Sequence, residues 1–384
     1  MLAHSPPFPL VIDYDEYRDN TTEEEGIIFA LGKRDRVRRV RLHMPFPNLQ
    51  KIIKAIDKEY PILEYLIMWP STADNIAGLM FPETFQAPHL RHLMLFGFTL
   101  PIGSRLLTTA VGTVTLCLFM GHPSYFQPNT LLQGISFMPQ LETLLISFVS
   151  PIADLDAESQ LTYAPIMTQV TLPNLRSFGF RGVSAYMEAV VRRITAPRLE
   201  KLCIHFLKQL TFHVPRLLQF MNTAENLRFD SANFQFSNDV VYVDVFPPNE
   251  AEMYALRMAV HCYHLDWQVF SVAQIFDSLG QKVATVEHLT FVQEAHSQLF
   301  EEHNEDGRSN WRKLFGSFGN VKTLRVDDGL VKEISRSLDG ELPLEVLPEL
   351  QELRYFGSGD TGDVFTSFIN SRHNAGRPVT LICP

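Results

Sequence analysis

The 384-residue chain lacks the features that mark several large classes of protein. Its only cysteines are Cys117, Cys203, Cys262 and Cys383, which lie far apart and form no CxxC pair. This spacing excludes a zinc ribbon and a disulfide-dense secreted scaffold, and it is typical of a reducing compartment. No run of eighteen apolar residues is present, and the first twenty residues turn polar too early for a signal peptide. We therefore predict a soluble intracellular protein, cytoplasmic or nuclear, with no membrane partner.

An excess of positive charge is also missing. The chain has 33 Lys and Arg against 43 Asp and Glu, which gives a net charge of −10. Domains that bind nucleic acid are usually basic, so this balance argues against such a role. Apolar residues make up 46% and charged residues 20% of the chain, which is the composition of a folded globular protein.

A short repeat runs through the sequence. Twelve segments align on a pattern with an apolar residue at positions 1, 4 and 6, and we call each segment a rung. The rungs begin at Val37, Leu63, Leu90, Thr113, Leu141, Leu175, Leu199, Ala224, Met253, Val286, Val321 and Leu350. Successive starts are about 23 to 35 residues apart, which matches a leucine-rich repeat and in places exceeds its usual period.

The pattern predicts a specific architecture. Positions 4 and 6 are two residues apart, so in a strand they point to the same face. Each strand is followed by a return segment with helical periodicity, such as 49–60 or 186–194. We predict an α/β leucine-rich-repeat solenoid, an irregular horseshoe with parallel strands on the concave face and helices on the convex face. The alternative is an ordinary α/β domain with amphipathic elements, because a single L-x-x-L-x-L motif carries little information.

The repeat departs from the usual leucine-rich pattern. The asparagine that normally follows the third leucine is replaced, for example by Val183, Leu207, Ala232 and Gly329, so the turns must satisfy their backbone groups differently. The predicted organisation is a single solenoid over 1–384, with an N-terminal strand–helix unit at 1–36, an inserted strand at 238–248, a C-terminal capping strand at 373–384, and solvated acidic insertions at 153–159 and 298–310.

Three features resemble catalytic or ligand-binding motifs. The segment 357–362 reads GSGDTG after a strand and before a helix, but only 22 residues follow it, and Asp360 would repel a pyrophosphate. The basic run 33–41 holds six cations, which fits either a nucleic-acid patch or a helix end followed by a strand. The thirteen histidines form no HExxH motif. We therefore predict no enzyme, no cofactor and no metal.

Three segments carry a resemblance to a known family. The sequences at 172–202, 319–333 and 347–372 look like fungal F-box proteins with leucine-rich repeats. In that family an N-terminal F-box binds the adaptor of an SCF-type ubiquitin ligase, and the repeats select the substrate. The resemblance implies a substrate-recognition role in such a pathway. Only nine residues precede the first predicted strand, which begins at Leu10, so we expect adaptor binding only if an F-box is supplied elsewhere.

The alternation along each rung predicts where a partner would bind. Positions 3, 5 and 7 alternate with the buried positions 4 and 6 and should face the concave side. This side is apolar and aromatic in the first half of the chain and carries a row of arginines in the second. The predicted contacts with a protein target are Tyr65, Ile67, Trp69, Met94, Phe96, Phe119, Arg228, Arg257, Arg325 and Arg354. A repeat-only scaffold unrelated to ubiquitin and a nucleic-acid-binding solenoid are the alternatives.

Overall fold

The computed structural model describes residues 8–15, 21–71, 79–101, 103–120, 127–149, 169–248, 253–294, 305–339, 345–356 and 364–382. The chain divides into two compact units, Met1–Leu199 and Glu200–Pro384. Each unit combines helices with a mostly parallel sheet. The prediction of a mixed α/β chain with parallel strands is confirmed.

The first unit alternates strands with short helical returns. Its elements are β1 (Leu10–Asp15), α1 (Thr21–Leu31), β2 (Val37–Met44), α2 (Phe46–Ala55), β3 (Tyr65–Pro70), β4 (Leu79–Met80), β5 (His92–Phe96), β6 (Phe98–Thr99), α3 (Arg105–Thr109), β7 (Thr115–Met120), α4 (Pro128–Ser136), β8 (Thr143–Phe148), β9 (Val170–Thr171), β10 (Ser177–Gly182), α5 (Ser184–Val191) and β11 (Ile194–Thr195). Strands β1, β2, β3, β5, β7, β8 and β10 pair in that order, all parallel. Two short parallel pairs, β4–β6 and β9–β11, lie outside this sheet.

The strands align in the register that the repeat predicts. Position 4 of one rung pairs with position 4 of the next: Leu66 with Leu93, Leu93 with Leu116, and Leu116 with Leu144. These four side chains are at most 1% exposed. Stacking in register therefore gives one continuous apolar layer that no single rung could bury alone.

Backbone hydrogen bonds at the amino end of each strand recur from rung to rung. The amide of the first apolar residue closes a turn onto the carbonyl three residues earlier, as at Leu90 and Leu141. The carbonyl at position 2 then accepts two amides from the next rung. The carbonyl of Glu64, for example, accepts from the amides of Arg91 and His92. These bonds satisfy backbone groups and join successive rungs, although the chain lacks the asparagine that usually does so in leucine-rich repeats.

The helical returns follow from simple sequence signals. Helix α2 has Pro47 in its first turn, where a missing amide costs nothing, and Lys54 in its last turn. Its apolar residues Leu49, Ile52 and Ile53 fall three and four apart and are all buried.

The second unit begins and ends with parallel strands but contains an antiparallel insertion. Its elements are β12 (Lys201–Phe206), α6 (Pro215–Asn222), β13 (Ser231–Phe236), β14 (Val240–Phe246), β15 (Leu256–His261), α7 (Leu265–Val283), β16 (His288–Gln293), α8 (Glu305–Gly316), β17 (Thr323–Asp327), α9 (Val331–Leu338), β18 (Glu352–Phe356), α10 (Thr366–Asn374) and β19 (Thr380–Ile382). Its strand order is β12, β15, β14, β13, β16, β17, β18, β19. Strand β14 is antiparallel to both β13 and β15, and the other pairs are parallel.

The rung predicted to start at Ala224 is wrong in register. The strand in this region is β13, five residues later, and its Ala232 and Phe234 pair with Leu289 and Phe291 of β16. The first residue of this rung is therefore Phe229. Both registers satisfy the apolar pattern, since Phe229 can stand at position 6 of one or position 1 of the other. Pairing with β14 and β16 selects the later one.

The prediction of a solvated acidic insertion at 298–310 is wrong from Glu305 onward, because helix α8 begins there. This helix is fixed by apolar residues three and four apart, and Trp311, Leu314 and Phe315 are at most 2% exposed. The other acidic segment, 153–159, lies outside the described residues. Within the described part of the chain, no helix is long and apolar enough to cross a membrane.

Candidate functional site

An aromatic ladder crosses the first unit on the face that alternates with the buried leucines. It consists of His43, Trp69, Phe96 and Phe119, all at position 7 of consecutive rungs. The rings of His43 and Trp69 stack at a centroid distance of 4.8 Å, and those of Phe96 and Phe119 stack at 3.9 Å. Trp69 and Phe96 are 6.2 Å apart in a tilted arrangement. Parallel pairing at one register builds the ladder, because it places equivalent positions side by side.

The rings of the ladder are partly buried by one another, yet none is fully enclosed. At one end the Arg41 guanidinium lies 5.2 Å from the centre of the Trp69 ring, as in a cation–π contact. Asp15 lies 2.5 Å from Nδ1 of His43, and Asp13 lies 3.7 Å from Arg41. The edge strand β1 thus supplies two carboxylates that orient the polar end of the ladder.

The row at position 5 lies beside the ladder and is less accessible. Ile67 and Cys117 are only 7% and 4% exposed, so Ile67 offers a partner little surface, contrary to its prediction as a contact. Burial raises the pKa of the Cys117 thiol to about 11, so it is neither a thiolate nor a nucleophile at neutral pH. Met94 and Leu145 are partly exposed. The row therefore offers a partner mainly Met94 and Leu145.

Tyr65 stands at position 3 of its rung, next to Ile67 and Trp69 on the same strand. The Arg39 guanidinium lies 4.5 Å from the centre of its ring, and His92 packs against it at 5.7 Å. His92 in turn lies 3.1 Å from the hydroxyl of Thr115 through Nδ1. Tyr65, Trp69, Met94, Phe96 and Phe119 thus come together on one face of the first unit, as the sequence predicts.

The arginines of the second unit do not form the continuous row predicted. Arg228 precedes β13 and lies outside every described strand, because the rung register there is shifted. Arg257 donates from Nε to Asp244 at 2.7 Å and from Nη2 to the other oxygen at 3.0 Å. No partner for Arg257 could be predicted from the sequence, since Asp244 reaches it only through the inserted strand β14.

Further residues surround this ion pair. Arg257 also lies 4.2 Å from the centre of the Tyr254 ring. Across β14 and β13 the same row continues to Asn233, whose side-chain oxygen is buried and accepts no hydrogen bond from the described residues. The alternating sequence of β14 was a usable signal for Asp244; nothing in the sequence pointed to Asn233.

Arg325 and Arg354 remain neighbours, paired directly between β17 and β18. Both are exposed. Arg354 also forms an ion pair with Glu352 of its own strand. These two cations, with Thr290 beside them on β16, are what remains of the predicted arginine row.

The basic run at 33–41 is largely engaged within the protein. Arg36 donates to the carbonyl of Phe8 at 3.1 Å, and Arg38 forms an ion pair with Glu64 at 2.9 Å. Arg39 and Arg41 lie over aromatic rings, as described above. These partners fit a structural helix-to-strand junction better than an open nucleic-acid patch.

Two sequence candidates remain, the GSGDTG segment and a metal site. The GSGDTG segment at 357–362 lies outside the described residues. Among the residues that the structure does describe, no group of three or more His, Cys, Asp or Glu side chains could hold a metal ion.

Comparison with known proteins gives little further information. No family model matches the chain, and no curated protein matches it. Among solved structures it is similar to the leucine-rich repeat-containing protein LegL7 from Legionella pneumophila, at 13% identity and a TM-score of 0.34, over 96% of this chain and 99% of that one. A likeness this distant carries no argument about function, which rests on the geometry above.

Proposed function

We propose that the chain is a leucine-rich-repeat solenoid that binds another protein through the aromatic ladder of its first unit. The observation that supports this is the alignment of Trp69, Phe96 and Phe119 on the face opposite the buried leucines. Large, partly exposed aromatic side chains in a row are typical of the anchors that dominate protein–protein affinity. A row of stacked rings has little packing role when the leucine layer already fills the core.

The chemistry of this face indicates the kind of partner. Trp69, Met94 and Phe96 offer apolar contact area, while Arg41 and His43 stand at one end. A partner segment with apolar side chains would complement it, because Asp13 and Asp15 already pair with Arg41 and His43. In the second unit, Arg325 and Arg354 suit an acidic or phosphorylated segment. Arg257 is less suited to this role, because Asp244 engages it through two hydrogen bonds, whereas the contact of Arg354 with Glu352 is made through Nε.

A protein partner fits better than nucleic acid. The net charge of −10 opposes a polyanion, and within the basic run at 33–41 Arg36 bonds to the carbonyl of Phe8 and Arg38 to Glu64, so the run is not a continuous open track of cations. The resemblance to fungal F-box proteins narrows the proposal to substrate recognition in an SCF-type ubiquitin pathway. That narrower role rests on the resemblance alone. A repeat-only scaffold is the alternative.

The test is affinity purification with the full chain, followed by mass spectrometry and measurement of the recovered partner by calorimetry. Trp69→Ala should weaken partner binding by about 2 kcal/mol or more, since it removes a central aromatic anchor. Phe137→Ala is the matched control, because Phe137 is an exposed aromatic of the same unit at 41% exposure, outside the ladder.

Two results would contradict the proposal. Unchanged affinity of Trp69→Ala, with its circular dichroism intact, would move the site off the ladder. An equal loss in Phe137→Ala would show that the effect is not specific to this face. Recovery of an SCF adaptor with the partner would support the ubiquitin role, and recovery of targets alone would favour a scaffold.

A further inference from the structure

A cavity of about 440 Å³ opens at the amino ends of β2, β3 and β5, beside the aromatic ladder. It is lined by Arg38, Arg39, Glu64, Tyr65, Arg91 and His92. The repeat itself builds it, because positions 2 and 3 of three consecutive rungs supply all six residues. Only Tyr65 among them was predicted to contact a partner.

The cavity is positive within an acidic protein. Its three arginines and one glutamate give a local charge of +2, against −10 for the whole chain, with histidines left out of both counts. Glu64 is already engaged by Arg38 at 2.9 Å. Arg91 is exposed and has no ion-pair partner among the described residues.

Two of the three arginines, Arg38 and Arg39, are held in place by their neighbours. Glu64 fixes Arg38, and the Tyr65 ring supports Arg39 at 4.5 Å. His92 is held through Nδ1 by Thr115 and closes the aromatic wall with Tyr65. A preorganised set of guanidinium groups loses less side-chain freedom when an anion binds.

We propose that this cavity binds the phosphate of a phosphorylated side chain in the partner protein. A phosphomonoester carries about −1.5 to −2 charges at neutral pH, which matches the local +2. Planar guanidinium groups bind phosphate oxygens in a forked, charge-assisted geometry. A single phosphate needs only a local cluster of guanidinium groups such as this one, whereas a nucleic-acid strand needs a continuous basic track. The inference rests on the proposed function, since the partner would reach the cavity alongside the ladder.

The experiment uses the full chain and small probes of defined chemistry. N-acetyl-phosphotyrosine amide, N-acetyl-phosphoserine amide, inorganic phosphate and N-acetyl-tyrosine amide are titrated by calorimetry and ³¹P NMR. At least one phosphoamino acid should bind more tightly than inorganic phosphate, and unphosphorylated tyrosine should not bind. Arg91→Gln should weaken the phosphoamino acid about tenfold or more. Arg105→Gln, an exposed arginine of the same unit outside the cavity, should leave it unchanged.

Several results would overturn the inference. One is no binding of any phosphorylated probe; another is inorganic phosphate binding as tightly as the phosphoamino acids, which would indicate a free-anion site. An equal loss in Arg105→Gln, or displacement of the probe by a single-stranded oligonucleotide, would also overturn it. Because Arg91 is exposed, the Arg91→Gln variant should fold.

The two proposals can fail separately. If phosphorylated probes do not bind while Trp69→Ala still loses the partner, the ladder stands and the cavity inference falls. If the probes bind and depend on Arg91 while Trp69→Ala keeps the partner, the protein-binding ladder falls and the phosphate site stands.

Discussion

At the scale of single residues, the position-5 row shows how closely neighbouring rungs pack. Gly179 of β10 pairs with Leu145 of β8, and a Cβ added to Gly179 would lie 2.4 Å from Cδ1 of Leu145. The leucine side chain therefore occupies the space that any larger residue at 179 would need. The sequence shows a glycine at 179, but only the strand register shows that a larger side chain there would collide with Leu145.

This contact gives a prediction that a double mutant can check. Gly179→Val should lower the free energy of unfolding by about 1 to 3 kcal/mol, because Leu145 is forced from its position. Leu145→Ala in the same chain should recover part of that loss, since the valine then fills the space. Unfolding in urea measures both. Losses that simply add would mean that the two side chains do not compete for one space.

At the scale of elements, the sequence predicted most strands of the first unit and failed where the chain leaves the simple repeat. Rungs such as Leu90 and Leu141 are specified by three apolar residues and a turn, and they were predicted in register. The rung at Ala224 was not, because two registers satisfied the pattern. The choice between them is made by the pairing of β13 with β14 and, at a much longer sequence separation, with β16.

The candidate site, too, could be predicted from the sequence only in part. The aromatic ladder follows from strict alternation at a fixed register, so Trp69, Phe96 and Phe119 could be placed from the sequence. Their accessibility could not, and Ile67 on the same face is buried. Arg257 was misjudged because its partner Asp244 lies on the inserted strand. Contacts set by tertiary pairing, rather than by periodicity, are what the sequence does not reveal.

The repeat architecture makes a prediction about how damage spreads within the first unit. Phe178 is fully buried at position 4 of β10 and pairs with Leu144 of β8. Phe178→Asp would place an unpaired carboxylate in the apolar layer, at a cost of several kcal/mol, about 3 or more. In a stack where each rung contacts its neighbours, loss of structure should be local.

Hydrogen exchange followed by mass spectrometry tests this. Amides of β8 and α5 should lose protection in Phe178→Asp, while β2 and β3, several rungs away, should keep most of theirs. Arg181→Asp is the control, because Arg181 lies on the same strand but is exposed. Uniform loss of protection across β2 to β10 would contradict nearest-neighbour stacking and favour one cooperative α/β domain.

At the scale of the whole molecule, net charge and local charge have opposite signs. The chain carries −10, while the proposed contacts Arg325 and Arg354 are cations on one exposed row. An acidic partner would be repelled at long range and attracted at contact. Salt screens exposed charges over about 10 Å at 0.1 M, so it removes the long-range repulsion before it removes close pairing.

The rates of partner binding should therefore respond to salt in a characteristic way. Between about 50 and 300 mM NaCl, we expect the association rate to stay level or rise, and the dissociation rate to rise as contact pairs weaken. Arg325→Glu changes the net charge from −10 to −12 and removes a proposed contact. Arg105→Glu is the control, because it makes the same change in net charge at an exposed position outside the proposed contacts. Surface plasmon resonance should show slower association in both variants, but faster dissociation only in Arg325→Glu. Equal dissociation rates would remove Arg325 from the binding surface, and an association rate that falls steeply with salt would point to attraction of a polyanion such as nucleic acid.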